Sequence, residues 1–241
     1  MLASMLEALI FDVDGTLADT ERDGHRPAFN AAFAAAGLPW HWDESLYGEL
    51  LQVTGGKERI RFFCERHEPE FLLRADAEAR IRELHAAKTQ HYVALCAGGV
   101  PLRPGVEPLL RAAREAGLRL ASATTTTPEN VSALLDPDLL ALFEKVGAGD
   151  TVPNKKPAPD IYLWVLAQLG LPASACLAIE DSANGLKASR GAGLATVVTR
   201  TAYTDDHDFS GALALLPDLG EVSVSLLRHW HSHAYESDKK M

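Results

Sequence analysis

Short, uninterrupted apolar runs recur along the chain, and each stops at a polar or acidic residue. Ala8-Leu9-Ile10-Phe11 ends at Asp12, and similar runs occupy residues 118–123, 176–179 and 195–199. A run that is apolar on both faces suits a strand buried in a parallel sheet, because helices cover both sides of such a sheet. Between the runs the apolar spacing becomes helical, roughly over 106–116, 128–135, 159–169 and 182–192. Several of these stretches close at a glycine (Gly117, Gly170, Gly193), the residue that takes the left-handed helix stop without strain. Alternating strands and helices predict an α/β fold, an open parallel sheet with right-handed crossovers.

The stretch from Thr20 to Ala97 breaks this rhythm. It has no strand-like run, is rich in Ala, Glu and Arg, and spaces its Leu, Phe and Ile as a helix does. Pro101, Pro104 and Gly105 punctuate its far end. The pattern predicts an all-helical insert over 20–97, about 80 residues and thus the size of a small domain. The sheet-bearing part then consists of 1–19 and 98–241. Trp40 and Trp42 read as packing residues between the insert's helices, and Cys64 and Cys96 as small core residues.

Composition narrows the function. With 47% hydrophobic residues in 241, the chain can bury a sizeable core. Lys and Arg total 23 against 33 Asp and Glu, a net charge of −10. That excludes a general nucleic-acid or anionic-membrane binder, whose affinity rests on a basic face. Cys64, Cys96 and Cys176 are too few and scattered for a disulfide framework or a zinc site, so a reducing, cytoplasmic compartment is expected. Residues 1–11 lack the basic region and cleavage site of a secretory signal. Residues 161–179 are uncharged over a spanning length, but Gly170-Leu171-Pro172 divides them into helix, turn and strand. No membrane partner is expected.

Ligands of open α/β sheets bind beyond the carboxyl ends of the strands, and reactive side chains collect there. The first run ends in Asp12-Val13-Asp14-Gly15-Thr16, the second in Thr124, and the run at 176–179 in Glu180-Asp181; Lys155-Lys156-Pro157 precedes the helix at 159. Singly, these read as a solvated turn, a helix cap, a helix N-terminus and surface lysines. At successive strand ends and in this order, they read as one site.

In these residues the chain resembles the haloacid dehalogenase (HAD) superfamily. Asp12-Val13-Asp14-Gly15-Thr16 is similar to its first motif, Thr124 to its second, Lys156 to its third and Glu180-Asp181 to its fourth. The resemblance runs from about Leu6 to Leu216. It implies a HAD-like, Rossmann-like core and makes the helical insert a cap domain. Asp19-Thr-Glu-Arg-Asp-Gly-His-Arg26, Gly55-Gly-Lys-Glu-Arg59 and Lys156-Pro-Ala-Pro-Asp-Ile-Tyr162 are similar to the CbbY-type branch. That branch is associated with carbon fixation and acts on xylulose-1,5-bisphosphate.

Hydrolysis of a phosphate monoester needs a nucleophile, an acid for the leaving oxygen and positive charge around the transferred group. Asp12 suits attack on phosphorus, giving an aspartyl-phosphate. Asp14 suits protonation of the departing alkoxide and later deprotonation of water. Asp12, the Asp14 backbone carbonyl and Asp181, with Glu180 nearby, offer the hard oxygens that magnesium requires. Such a cation keeps Asp12 ionised and reduces its repulsion from phosphate. Thr124 and Lys156 suit the phosphoryl oxygens, with Thr125 or Thr126 as further contacts. The resemblance favours Lys156 over Lys155, and the sequence leaves the neighbour open.

Substrate choice is expected in the cap, which closes over the site. His25 and Arg26 follow the first hinge. Gly55-Gly56-Lys57-Glu58-Arg59 reads as a helix-opening loop whose backbone, with Lys57 and Arg59, suits a second phosphate. Glu21 reads either as an acceptor for sugar hydroxyls or as a helix N-terminal acid. The expected protein is a monomeric, magnesium-dependent phosphatase of a small phosphorylated sugar. The alternatives are a β-phosphoglucomutase-like mutase, where a sugar hydroxyl replaces water, and a non-catalytic phosphosugar-binding protein. His229-Trp230-His231-Ser232-His233 invites a metal reading, but its place before Lys239-Lys240-Met241 predicts a surface or disordered tail.

Overall fold

The computed structural model describes residues 5–237. β1 (Ala8–Phe11) is followed by one π-helical turn, Glu21–His25, and then by α1 (Arg26–Ala35), α2 (Glu44–Leu50), α3 (Gly56–His67), α4 (Pro69–Leu72) and α5 (Ala77–Cys96). Next come α6 (Val106–Glu115), β2 (Arg119–Ala123), α7 (Pro128–Leu134), α8 (Pro137–Leu140) and β3 (Lys145–Gly147). The chain finishes with α9 (Asp160–Leu169), β4 (Cys176–Glu180), α10 (Ala183–Gly191), β5 (Ala195–Thr199), β6 (Ala214–Leu216) and α11 (Val224–Ser237). The six strands form one parallel sheet in the order β3-β2-β1-β4-β5-β6.

The four apolar runs of the sequence are β1, β2, β4 and β5. The edge strands β3 and β6 were not among the expected strands. Each is three residues long and only partly buried, too short to leave an apolar run. β1 lies at the centre, with Ile10 level with Ala121 on one side and Ala178 on the other. Period-two alternation sends Leu9 and Phe11 to one face, against Leu109 and Leu110 of α6, and Ala8 and Ile10 to the other, against Ile161 and Val165 of α9. Full burial of each large apolar side chain contributes roughly 1.5–3 kcal/mol, so the strand carrying the first motif is held from both faces.

Among the described residues, no strand lies between β1 and β2. The helices there have their own aromatic core, in which Phe29, Phe33, Trp40, Trp42, Tyr47 and Phe63 pack together; Trp40 and Trp42 are packing residues, as read. The two chain segments joining these helices to the sheet lie side by side: Ala18 bridges Leu102, and the Arg103 N–H bonds the Leu17 carbonyl at 2.9 Å. All three cysteines are buried and none is in a disulfide. No described helix is long and apolar enough to cross a membrane.

The expected surface or disordered tail is corrected in part: His229 and His233 are exposed, but the segment is ordered and half-buried. Residues 229–233 belong to α11, where Leu227 is fully buried, His231 is 1% exposed and Trp230 packs on the sheet's core. Val224, Leu227 and His231 follow one helical face, and a histidine in that register hid the apolar stripe. Lys239, Lys240 and Met241, and the first four of residues 1–11, read as lacking a secretory signal, lie outside the described residues.

Candidate active site

The sheet order reverses direction between β1 and β4, the position at which open α/β sheets leave a crevice. Asp12 continues β1, its N–H bonding the Ile179 carbonyl at 2.9 Å; Glu180 ends β4 and Asp181 follows it. All three acids are buried, with one carboxylate oxygen from each lying within 4.8 Å of the others. Gly15 permits this approach. It has φ +84°, and a Cβ there would sit 2.1 Å from Asp181 Oδ2.

Lys156 stands between two of the acids, its Nζ 2.6 Å from Asp12 Oδ1 and 2.5 Å from Glu180 Oε1. Burial alone would lower its pKa, but the Asp12 and Glu180 charges overcome this and hold the ammonium protonated, above its ordinary range. The Tyr162 hydroxyl donates to the same Glu180 oxygen at 2.5 Å, beneath Lys156. Burial, with the Glu180 and Asp14 charges, pushes the Asp12 carboxyl up to about 8 against the opposing pull of Lys156. Asp181 is driven in the same direction by burial and by Asp12 and Glu180. Thr124 is buried just past β2, its N–H on the Gly147 carbonyl and its Oγ1 accepting from the Thr126 N–H at 3.2 Å.

Asp14 faces the helical insert. Its Oδ1 accepts from Thr20 Oγ1 at 2.5 Å and pairs with His25 Nε2 at 2.8 Å. The other ring nitrogen of His25 lies 2.6 Å from Lys88 Nζ, and its ring stacks on Tyr92 at 4.2 Å. Burial would raise the Asp14 carboxyl, yet the charge and hydrogen bond of His25, the Thr20 hydroxyl and the Lys88 charge together hold it far below the ordinary range. Lys88 is itself pushed down to about 8, chiefly by burial.

A second hydrogen-bonded chain runs from Arg59 Nη1 to the Tyr47 hydroxyl at 2.8 Å, and from that hydroxyl to Glu21. Two adjoining cavities open onto these groups. One is lined by Asp12, Asp14, Thr124, Lys156 and Asp181, the other by His25, Gly55, Gly56, His85 and Lys88, and Asp14, Glu21, Arg59 and Thr125 line both. The expected residues Glu21, His25, Gly55, Gly56, Arg59 and Thr125 are therefore brought together with the strand-end acids.

Two expected substrate contacts are placed elsewhere. Lys57 reaches across to the sheet-bearing part and pairs with Asp150 at 2.5 Å, and Lys155 pairs with the same carboxylate at 2.8 Å. Lys57 lines neither cavity, because the first turn of α3 turns it outward towards that acid. Arg26 lines neither cavity and is directed at the Trp42 carbonyl and Glu44. Lys88 and Tyr162 were missing from the sequence reading. The signal for Lys88 was present: it occupies the buried face of α5 with Ile81, Leu84 and Tyr92, a position where a lysine is unexpected. Tyr162 sits six residues past Lys156, with nothing local to assign it a partner.

The donor set fits a hard divalent cation: crowded, buried, all-oxygen acids, with no thiolate or imidazole among them, in which the Glu180 charge helps to raise Asp12 and Asp181. Asp181 and the second oxygen of Asp12 are the freer ligands, because Asp12 Oδ1 accepts from Lys156, Glu180 Oε1 accepts from Lys156 and Tyr162, and Glu180 Oε2 accepts from the Asp181 N–H. Around them stand a nucleophile candidate, a lysine and a hydroxyl for a transferred group, and a second carboxylate for proton transfer.

Residues 6–193 match the family model of haloacid dehalogenase-like hydrolases. The chain is 52% identical over 229 residues to the plasmid CbbY protein of Cupriavidus necator, covering 93% of this chain and 90% of that protein. It superimposes on the crystal structure of CbbY from Rhodobacter sphaeroides in complex with phosphate with a TM-score of 0.85 at 44% identity, over 92% of this chain and 99% of that one. A mutant of that CbbY in complex with xylulose-(1,5)bisphosphate superimposes with the same TM-score of 0.85, at the same 44% identity and over the same shares of each chain.

Proposed function

The chain belongs to the haloacid dehalogenase-like hydrolases, on their CbbY branch, and is a phosphatase; from this premise we propose that it removes one phosphate from xylulose-1,5-bisphosphate through a phosphorylated Asp12. The observation that carries the reading is the pair of adjoining cavities, with Lys156 at one end, Lys88 at the other, and Arg59 and Glu21 shared between them. A molecule with a phosphate at each end and hydroxyls between matches that order of charges.

In the first half-reaction an Asp12 oxygen attacks phosphorus, the bond from phosphorus to the sugar oxygen breaks, and that oxygen takes a proton from Asp14. Lys156 and Thr124 hold the transferred oxygens. In the second, the Asp14 carboxylate takes a proton from water, whose oxygen attacks phosphorus and releases phosphate and free Asp12. His25 Nε2 and Thr20 Oγ1 hydrogen-bond this base form of Asp14, and the proton it takes from water is the one it gives to the sugar oxygen in the next turnover. We assign the cation to Mg2+, held by Asp12, Asp181 and the Asp14 carbonyl with Glu180 beside them; when bound it supplies the charge that keeps Asp12 ionised.

Residues 20–97 act as the cap. Thr54 bonds the Lys156 carbonyl, Lys57 pairs with Asp150, and Asn184 donates to the Gln52 carbonyl at 3.0 Å, so the cap rests on the residues it covers. One chain carries every group used, which favours a monomer, and the free cysteines favour a reducing, cytoplasmic compartment.

A panel of sugar mono- and bisphosphates, assayed for released phosphate with and without Mg2+, tests the reading. Xylulose-1,5-bisphosphate should be hydrolysed with Mg2+, far faster than ribulose-1,5-bisphosphate. Equal rates, or preference for a monophosphate, would overturn the substrate; phosphate transfer to a second sugar hydroxyl without net release would overturn hydrolysis.

A further inference from the structure

Tyr203 lies in the loop after β5, on the sheet-bearing part, yet it packs into the aromatic core of the cap. Every other member of that cluster comes from residues 29–84. Its ring meets Tyr47 edge-on, with centroids 5.9 Å apart. Gly48 makes room for it, since a Cβ at that position would lie 3.3 Å from the ring. Tyr47 is the residue that links Arg59 to Glu21, so Tyr203 touches the chain of groups placed between the two phosphates.

The hydroxyl of Tyr203 is buried and has no hydrogen-bond partner among the described residues. An orphaned buried hydroxyl is destabilising, and such groups are rare in native proteins. Packing needs only the ring, which phenylalanine would supply without that cost. The residue also forms a shared wall. On one side is the cavity of Asp12, Thr124 and Lys156; on the other is a cavity of about 210 Å³ lined by Gly15, Asp19, Glu21, Arg22 and Glu44.

We propose that Tyr203 is a specificity-determining residue whose hydroxyl hydrogen-bonds a hydroxyl of the sugar-phosphate substrate, while its ring on Tyr47 makes that contact depend on a seated cap. The inference rests on the sugar-phosphatase reading above and adds a residue from the core to a recognition surface otherwise built by the cap. It couples cap position to substrate chemistry: a phosphate ester without a hydroxylated chain leaves Tyr203 unpartnered.

The test is Tyr203→Phe, which keeps the ring, assayed on xylulose-1,5-bisphosphate and on p-nitrophenyl phosphate. The ratio of kcat/KM for the sugar bisphosphate to that for the aryl phosphate should fall about ten-fold, the size of one lost hydrogen bond. A ratio within two-fold of wild type, whether both activities hold or both drop together, would reduce Tyr203 to packing and overturn the proposal. If the wild-type enzyme prefers another sugar phosphate, the substrate reading falls, and the same ratio taken with that sugar phosphate still decides the role of Tyr203.

Discussion

Lys88 is the residue at which burial and chemistry pull hardest against each other. Its ammonium is buried between the rings of Phe29 and Tyr92, 2.6 Å from His25, and burial holds its pKa down at about 8. The folded state thus resists the protonated form that the unfolded chain prefers at neutral pH, and the fold loses free energy by keeping a lysine there. Lys88→Met should therefore move stability and activity in opposite directions. We predict an unfolding free energy at pH 7 higher by about 1–3 kcal/mol, and kcat/KM on the sugar bisphosphate lower by roughly 10- to 100-fold as His25 loses its partner. Denaturant titration and steady-state kinetics on one preparation check both; loss of stability together with activity would show Lys88 to be structural. Asp12, Asp14, Thr124, Lys156, Glu180 and Asp181 were legible because each stands at a strand end or beside a helix start that the apolar pattern marks. Lys88 and Tyr162 were not, since their partners His25 and Glu180 lie 63 and 18 positions away in sequence.

At the scale of elements, the first turn of α3 does two jobs. Arg59 turns inward to Tyr47, while Lys57, two residues earlier and across the helix, turns outward to Asp150 beside β3. The sequence placed both on one phosphate-binding loop because spacing shows charge but not the acid waiting on another segment. An ion pair this exposed is worth about 0.2–1 kcal/mol, so it biases cap position without fixing it. Asp150→Asn should raise KM for the sugar bisphosphate about two- to five-fold, with kcat nearly retained, because no group facing phosphorus changes. The difference from wild type should shrink in high salt. A salt-independent fall in kcat would show that Asp150 shapes the site itself. The edge strands β3 and β6 and the C-terminal α11 escaped the sequence for a related reason: three-residue strands and a histidine on a buried helix face owe their places to neighbours, not to local pattern.

Across the whole molecule, a net charge of −10 coexists with a site for a small phosphorylated, strongly anionic substrate. The resolution is local: the strand-end acids gather where a divalent cation fits, and Lys156, Arg59 and Lys88 are buried at the cavities while most other charge stays outside. The sheet order places Asp12 and Asp181 on neighbouring strands, and the insertion point of the helices places Asp14 and His25 face to face. In the proposed reaction, Asp12 takes the phosphoryl group. Rapid-quench mass spectrometry under single-turnover conditions, with wild type and Asp12→Asn given xylulose-1,5-bisphosphate and Mg2+, tests it most directly. Wild type should pass through one phosphoryl group on the peptide carrying Asp12, and Asp12→Asn should bind the substrate without forming the adduct or releasing phosphate. Turnover by Asp12→Asn, or a phosphoryl group on any other residue, would show that Asp12 is not the nucleophile.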